Sequence, residues 1–425
     1  MGDTIEHKCF KCGGSLNFDV TSQKVKCPYC ETEYDVSELI AEEQDLSKEL
    51  KDDIQIQTDA GSEWDAGEEN SLNVYCCESC GGEVYSDENT SATMCPYCGN
   101  AVILKGRLSG VLKPDLVVPF KRTKEDAIGA LMEKCKGNIL VPKKFVSENK
   151  LEEIKGLYAP FWIYNADVDA EFRFTCTNES RHSNGDEEII ITDYYSVMRA
   201  GNISYEHVPV DGSKKLDDNL MESIEPFYHE DAVDFKTAYL SGYLADKYDI
   251  TQEEAIPRAS ERMSNETEEA FKETLNYDTV TTRERGVKIY NTTADYVLYP
   301  IWLMNTQWGD KTFTFAMNGQ TGKIVGNLPV SKGKAGGLGV LVFAIIAAIG
   351  FFAFNAFFES ATVGAIMGVI LGLIITGGIM AYLVRQIHDV VADNRAAAYR
   401  KEGSFQVTRK SDRFMYRDRR VIRKK

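Results

Sequence analysis

Two long stretches near the C-terminal end carry no charge. One runs over residues 335–358 and the other over residues 360–384, and Glu359 is the only charged residue between Lys334 and Arg385. Each exceeds the ~20 apolar residues that cross a bilayer, and only Glu359-Ser360 divides them. The pattern predicts a tight transmembrane helical hairpin over 335–384. The second stretch spaces Gly364, Gly368 and Gly372 four apart, and small residues at that spacing let helix backbones approach closely. Ala344, Ala347, Ala348 and Gly350 offer a matching face on the first stretch, and the three glycines also suggest a seam for oligomerisation.

Upstream, apolar residues follow shorter periods. Alternation over Val168–Thr175, Glu188–Met198 and Lys311–Met317 predicts strands. Phe313–Val325 reads as a hairpin around Asn318-Gly319-Gln320-Thr321-Gly322-Lys323. Val117-Val118-Pro119-Phe120 is extended, and Thr123 with Asp126 forms a capping box for a helix reaching about Lys136. A second helix is expected over roughly 250–275. Tyr158-Ala159-Pro160-Phe161-Trp162 and Leu298-Tyr299-Pro300-Ile301-Trp302 share Pro-x-Trp, which suggests a duplicated strand-led unit with core tryptophans. Residues 107–330 are therefore expected to form an α+β body.

Charge sharpens the outline. Residues 385–425 hold thirteen Lys and Arg against five Asp and Glu, while the whole chain of 425 residues is at −17. An acidic body with a basic tail beside an apolar stretch points to a membrane surface. Lys332 and Lys334 precede the hairpin and Arg385 follows it, so both termini are expected in the cytoplasm. The tail (Arg409, Lys410, Arg413, Arg417, Arg419, Arg420, Arg423, Lys424, Lys425) is expected against anionic lipid. No secretory leader is expected, because Cys9, Lys11 and Cys12 interrupt the first apolar run.

Eight cysteines form four Cys-x-x-Cys pairs: Cys9/Cys12, Cys27/Cys30, Cys77/Cys80 and Cys95/Cys98. Fourteen residues separate Cys12 from Cys27, and fourteen separate Cys80 from Cys95. Both units end in Cys-Pro-Tyr-Cys, and both first pairs are followed by glycines (Gly13-Gly14, Gly81-Gly82). Each unit is too small to fold on apolar residues alone, so a tetrahedral metal would supply the folding free energy. The reading is two zinc ribbons binding two Zn2+ per chain, with rubredoxin-like iron as the alternative metal. Cys135 and Cys176 stand alone and are expected to be buried thiols.

The domain plan is then multidomain: ribbon 1 over 1–36, an acidic linker over 37–73 with a short helix near 36–50, ribbon 2 over 74–106, the body over 107–330, the hairpin over 335–384 and the basic tail over 385–425. Residues 1–40 and residues 73–105 each sum to −3, which is the wrong sign for a phosphate backbone, so nucleic acid is an unlikely partner. No catalytic residue is assigned. Gly319-Gln320-Thr321-Gly322-Lys323 is too short for a phosphate loop, and Ile324 stands where a magnesium-binding hydroxyl is needed. His7, His182, His207, His229 and His388 fall in no catalytic pattern.

These ordered motifs resemble the YdjG-like family, TFIIB-type zinc-ribbon membrane proteins of Gram-positive bacteria. The shared residues are the duplicated ribbons with Cys-Pro-Tyr-Cys, Val118-Pro119-Phe120 before a helix, Gly156–Trp162, Tyr299-Pro300-Ile301-Trp302 and Asn318–Gly326. The resemblance implies a membrane-anchored adaptor, similar to proteins of envelope-stress gene clusters that include PspA-like and SPFH (flotillin-like) proteins. Residue by residue it carries only the eight zinc ligands. Two functions are therefore expected: a non-enzymatic adaptor recruiting cytosolic proteins to the membrane or, as the alternative, a membrane-tethered ribbon that binds nucleic acid.

Overall fold

The structure is a computed structural model. It describes residues 9–37 except 10, residues 49–142 except 58 and 66, residues 144–145, and residues 154–423 except 185–186, 310, 359 and 392. Most of the expected 36–50 helix, the Glu359 turn, Lys424 and Lys425 lie outside the described residues.

Ribbon 1 is a three-stranded sheet of β1 (Asn17–Asp19), β2 (Lys24–Lys26) and β3 (Glu33–Tyr34). A second, 13-stranded sheet takes in the rest. Its strands begin with β4 (Asp53–Ile54), β5 (Leu72–Cys76), β6 (Glu83–Asp87), β7 (Ile103–Arg107) and β8 (Leu116–Val117). Helix α1 (Lys124–Lys136) leads to two long strands, β9 (Lys155–Asn184) and β10 (Glu187–Asp211). Then come α2 (Asp218–Ile224), β11 (Val233–Asp234), β12 (Leu244–Asp246) and α3 (Gln252–Lys272). The long β13 (Thr279–Trp308), β14 (Lys311–Asn318) and β15 (Ile324–Val325) precede the apolar helices α4 (Lys332–Phe358) and α5 (Ala361–Arg385), and β16 (Gln406–Arg423) closes the chain.

Thirty-residue strands span about 100 Å when fully extended. β9 is the spine, antiparallel to β13 on one edge and to β10 on the other. One face of the sheet packs on α3 through Phe172, Tyr205, Met263 and Phe271. The opposite face is covered by α2 through Leu220, Met221 and Ile224.

The Pro-x-Trp duplication extends much further than that motif. β8 runs parallel to β13, and β12 runs parallel to β9. Each short strand leads into a helix with a complete capping box, Thr123 with Asp126 and Thr251 with Glu254. The Trp302 indole donates to the Arg122 carbonyl at 3.0 Å, and the Trp162 indole to that of Ile250 at 2.9 Å. Gly319 N–H donates to Pro300 O and Gly212 N–H to Pro160 O, both at 2.8 Å. The same backbone circuit is built twice around the two tryptophans.

Three of the expected segments are tied to the body by strand pairing or packing. The acidic linker is docked in its described part. β4 pairs with β13 at Lys288 and Ile289, Trp64 packs on Phe235 and donates to Val111 O at 2.9 Å, and Leu72 is buried. A few apolar side chains suffice to anchor the acidic segment. Ribbon 2 is not a separate module, because β6 pairs with β12. The basic tail is a strand: β16 pairs with β10 from Asn202 to Glu187. Opposite charges across the sheet hold it, with Arg417 on Asp193 at 2.6 and 2.8 Å, Arg423 on Glu187 at 3.1 Å and Arg409 on Glu171 at 2.7 Å. Those arginines pair with the protein's own carboxylates while their side chains stay largely exposed.

Helices α4 and α5 are long and apolar enough to cross a membrane. Their outer faces expose Val340, Ile349, Phe352, Phe357, Ile366 and Ile374. Gly364, Gly368 and Gly372 face the other way and are buried against α4 of the same chain. A Cβ on Gly368 would lie 2.7 Å from Ala347 O and from Phe351 N, and one on Gly350 would lie 2.9 Å from Gly368 Cα. The glycine stripe thus closes the hairpin internally. At the hairpin's foot, Ala335, Leu338, Leu383 and Val384 pack on Leu131, Trp302, Met304 and Phe315.

Candidate metal centres

All eight paired cysteines converge as expected. Cys9, Cys12, Cys27 and Cys30 bring their sulfurs within 4.8 Å of one another, and so do Cys77, Cys80, Cys95 and Cys98. The nearest approaches are Cys9–Cys30 at 3.5 Å, Cys12–Cys27 at 3.4 Å, Cys77–Cys98 at 3.5 Å and Cys80–Cys95 at 3.6 Å. A disulfide needs about 2.05 Å. A tetrahedron of sulfurs ~2.3 Å from one ion has edges of about 3.8 Å. The donor set therefore fits a tetrahedral thiophilic ion, and each cluster can hold one.

Local sequence builds these sites in a repeated way. In every knuckle the first cysteine's N–H and C=O close a tight loop. Cys9 N donates to Gly14 O at 2.7 Å while Gly13 N donates to Cys9 O at 2.8 Å, and Cys77 N donates to Gly82 O at 2.9 Å while Gly81 N donates to Cys77 O at 2.7 Å. The closure forces the residue after the second cysteine into the left-handed region, with φ of 73° at Gly13 and 70° at Gly81, where glycine is favoured. The second glycine has a different reason. A Cβ at Gly82 would lie 2.7 Å from the Tyr97 ring, and a Cβ at Gly14 would collide with the Tyr29 ring. Gly-Gly and Cys-Pro-Tyr-Cys are therefore two halves of one fit.

The thiols are pulled both ways: burial raises Cys95, whereas Cys30 and Cys98 fall. Hydrogen bonds from the Thr32 side chain and backbone draw the Cys30 thiol down to about 6. The Cys98 thiol falls to about 7, burial being outweighed by donors led by the Asn100 backbone. Cys80 moves up, chiefly through burial.

The environments of the two centres differ. Asn305 on β13 donates to Pro96 O at 2.8 Å and also to Tyr97 O, and the Lys215 ammonium donates to Cys80 O at 2.7 Å. Val84 and Tyr85 on β6 are buried in the two faces of the main sheet. Ribbon 1 instead meets the body where Gly13 approaches Phe414 of β16. Phe18, Val20 and Tyr29 are 53%, 76% and 76% exposed.

The chain is 39% identical over 235 residues to the "Uncharacterized protein YdjG" of Bacillus subtilis (strain 168), a match spanning 55% of this chain and 69% of that protein. It belongs to the YdjG family. No family model matches the chain, and no solved structure matches it.

Within this family member the other candidate residues have local roles. Cys135 and Cys176 are buried thiols, and burial raises both to about 11. Lys323 donates to Glu225 O at 2.6 Å, and Gly319 sits against Phe120 in the β14–β15 turn. His207 and His229 stack on each other with centroids 3.8 Å apart. The residues that reading the chain missed are Asn305 and Lys215, which tie ribbon 2 to the body. Neither lies in a motif, and only the fold brings them to the knuckles.

Proposed function

We propose that the protein is a membrane-anchored adaptor in which both four-sulfur centres hold zinc and ribbon 1 is the recognition module. The observation that carries this reading is the exposure of Phe18, Val20 and Tyr29 on a small ribbon held outside the main sheet. Exposed aromatic and aliphatic side chains on a rigid scaffold are what a protein partner can bury. Zinc is favoured because four thiolates suit it and its structural sites are closed, with no open position for chemistry. Here zinc supplies folding free energy and the cysteines supply its cage.

The α4–α5 hairpin is the anchor. Lys332, Lys334 and Arg385 flank it on one side, which favours both ends in the cytoplasm. Several β16 arginines are engaged by Asp193, Glu187 and Glu171. That leaves less free basic surface for a phosphate backbone, supporting protein rather than nucleic acid as the partner. SPFH-like and PspA-like proteins of an envelope-stress module are candidate partners.

Deleting residues 335–384 should release the protein from membranes and disperse its partners with it. Partners that stay at the membrane after the deletion, or a turnover that depends on a body residue, would count against the adaptor.

A further inference from the structure

Among the described residues β16 pairs with β10 and with no other strand, so its second edge is open. An open edge offers unpaired backbone N–H and C=O groups to another strand. β13 starts at Thr279, opposite Thr177 of β9, and beyond that point the sheet is a ribbon of three strands, β9, β10 and β16. Ribbon 1 meets β16 at Phe414 and Met415, one residue short of the run Tyr416–Arg423. Every residue of that run is exposed.

Charge along the run is matched unevenly. β10 supplies a carboxylate opposite two of its arginines, Asp193 opposite Arg417 and Glu187 opposite Arg423. Opposite Arg419 and Arg420 it supplies Ile191 and Ile190. Neither of these two arginines has an ion pair among the described residues. Successive side chains of a strand point to opposite faces, so Arg419 stands on one face and Arg420 on the other. Val421 follows on the first face beside Ile189, and Ile422 on the second beside Glu188. Each face of the edge therefore presents one guanidinium without a carboxylate and one exposed aliphatic side chain.

This arrangement discriminates between partners. A flat anionic bilayer can meet one face, and so one of the two arginines. A phosphate backbone would also meet the carboxylates of Asp418 and Glu188, which repel it. A second copy, antiparallel along the same run, would set Arg419 against Arg420, and like charges directly opposite are destabilising. An added strand reaches both faces at once, because its side chains alternate in step with those of β16.

We propose that the open edge of β16 captures an acidic peptide segment of a partner, added antiparallel as a further strand, with carboxylates opposite Arg419 and Arg420 and apolar residues opposite Val421 and Ile422. Along the partner the pattern is two apolar residues followed by two acidic ones. Main-chain hydrogen bonds supply the affinity, and the four side chains select the sequence. The edge lies outside ribbon 1, so it is a second contact for an adaptor and does not depend on recognition by the ribbon.

The test is fluorescence anisotropy on the full-length, metal-loaded protein in phosphatidylcholine nanodiscs, with a labelled Thr-Val-Val-Glu-Glu-Thr-Thr-Val peptide as the probe. The probe should bind, and its Lys-Lys counterpart should bind at least tenfold more weakly. N-methylation of alternate residues should abolish binding in one frame and spare it in the other, because only alternate N–H groups of an added strand face its neighbour. Arg419→Ser with Arg420→Ser should weaken binding of the probe at least tenfold. Should that variant lose β16, seen as lost amide protection over residues 406–423, the peptide series on the natural chain decides. No binding in the millimolar range, equal binding of the Glu-Glu and Lys-Lys peptides, or equal effects of the two N-methyl frames would overturn the proposal. So would tighter binding of phosphatidylglycerol vesicles or of a short single-stranded DNA through the same two arginines.

Discussion

Ribbon 1 and ribbon 2 carry the same knuckles, the same spacing and the same Gly–Tyr fit, yet they are embedded in opposite ways. Tyr29 is 76% exposed, whereas in ribbon 2 the carbonyl of the matching Tyr97 accepts from Asn305 and its hydroxyl is buried. The β-hairpin arm of ribbon 1 ends in its own three-stranded sheet, while the arm of ribbon 2 adds β6 to β12 and becomes part of the body. Position 17 is Asn in the first arm, and the matching position 85 is a tyrosine 2% exposed. One folding unit thus serves as a displayed module in one copy and as a structural wedge in the other, and what separates them is a few apolar residues outside the metal shell.

The largest effect expected from this contrast is in metal-site variants. Cys95→Ser with Cys98→Ser should remove one zinc and lower the thermal midpoint of the whole body by about 10 °C or more, since a structural zinc is worth many kcal/mol of folding. Cys27→Ser with Cys30→Ser should also remove one zinc and leave the body's transition in place. Elemental analysis with calorimetry reads both, and equal shifts for the two pairs would erase the distinction.

Next in size is Asn305→Ala. It leaves the Pro96 and Tyr97 carbonyls without their side-chain donor and should cost about 1–3 kcal/mol in denaturant unfolding. The loss should be accompanied by faster amide exchange in ribbon 2 and not in ribbon 1. Val20→Asp on ribbon 1 should change stability by no more than about 0.5 kcal/mol. Its expected consequence is loss of partner recruitment, read by co-localisation in cells; recruitment that survives it would move recognition away from this face.

The contrast was legible in part. Cysteine spacing and the uncharged stretches are local signals, so the eight ligands and the two apolar helices could be read directly. Long-range pairing is not local. Residues 406–423 alternate Val407, Phe414, Tyr416 and Ile422 with arginines, and read as a basic tail until β10 supplies Asp193 and Glu187 as partners. Trp64 and Leu72 lie within an acidic stretch, and Phe235 and Val111, which receive Trp64, are distant in sequence. The repeat showed itself only in Pro-x-Trp, since the two indole hydrogen bonds, Trp302 to Arg122 and Trp162 to Ile250, join the two copies to each other.

The smallest effect serves as a control within the body, away from both ribbons. His207 and His229 lie below the ordinary imidazole range because of burial, His229 at about 4 with His207 as the next cause; Glu206, Glu230 and Asp295 oppose the shift at one or both rings. A folded-state value below the unfolded one means that this stability is present above about pH 6.5 and is lost as pH falls toward 4. His229→Gln should therefore lose about 1–3 °C less than the natural chain between pH 7 and pH 5. Equal losses would show that His229 takes up its proton in the folded body as readily as in the unfolded chain, contrary to the depressed value.

The central claim is that ribbon 2 folds as part of the body at the hairpin's foot while ribbon 1 folds alone. Hydrogen–deuterium exchange of the full-length protein in lipid nanodiscs, followed as a zinc chelator is added, tests it most directly. The account predicts that residues 11–35 lose protection first and by themselves. Residues 72–107 should lose protection later, together with β12 and the Trp302–Trp308 end of β13. Loss of protection in ribbon 2 with β12 and β13 unchanged, or collapse of the body together with ribbon 1, would contradict it.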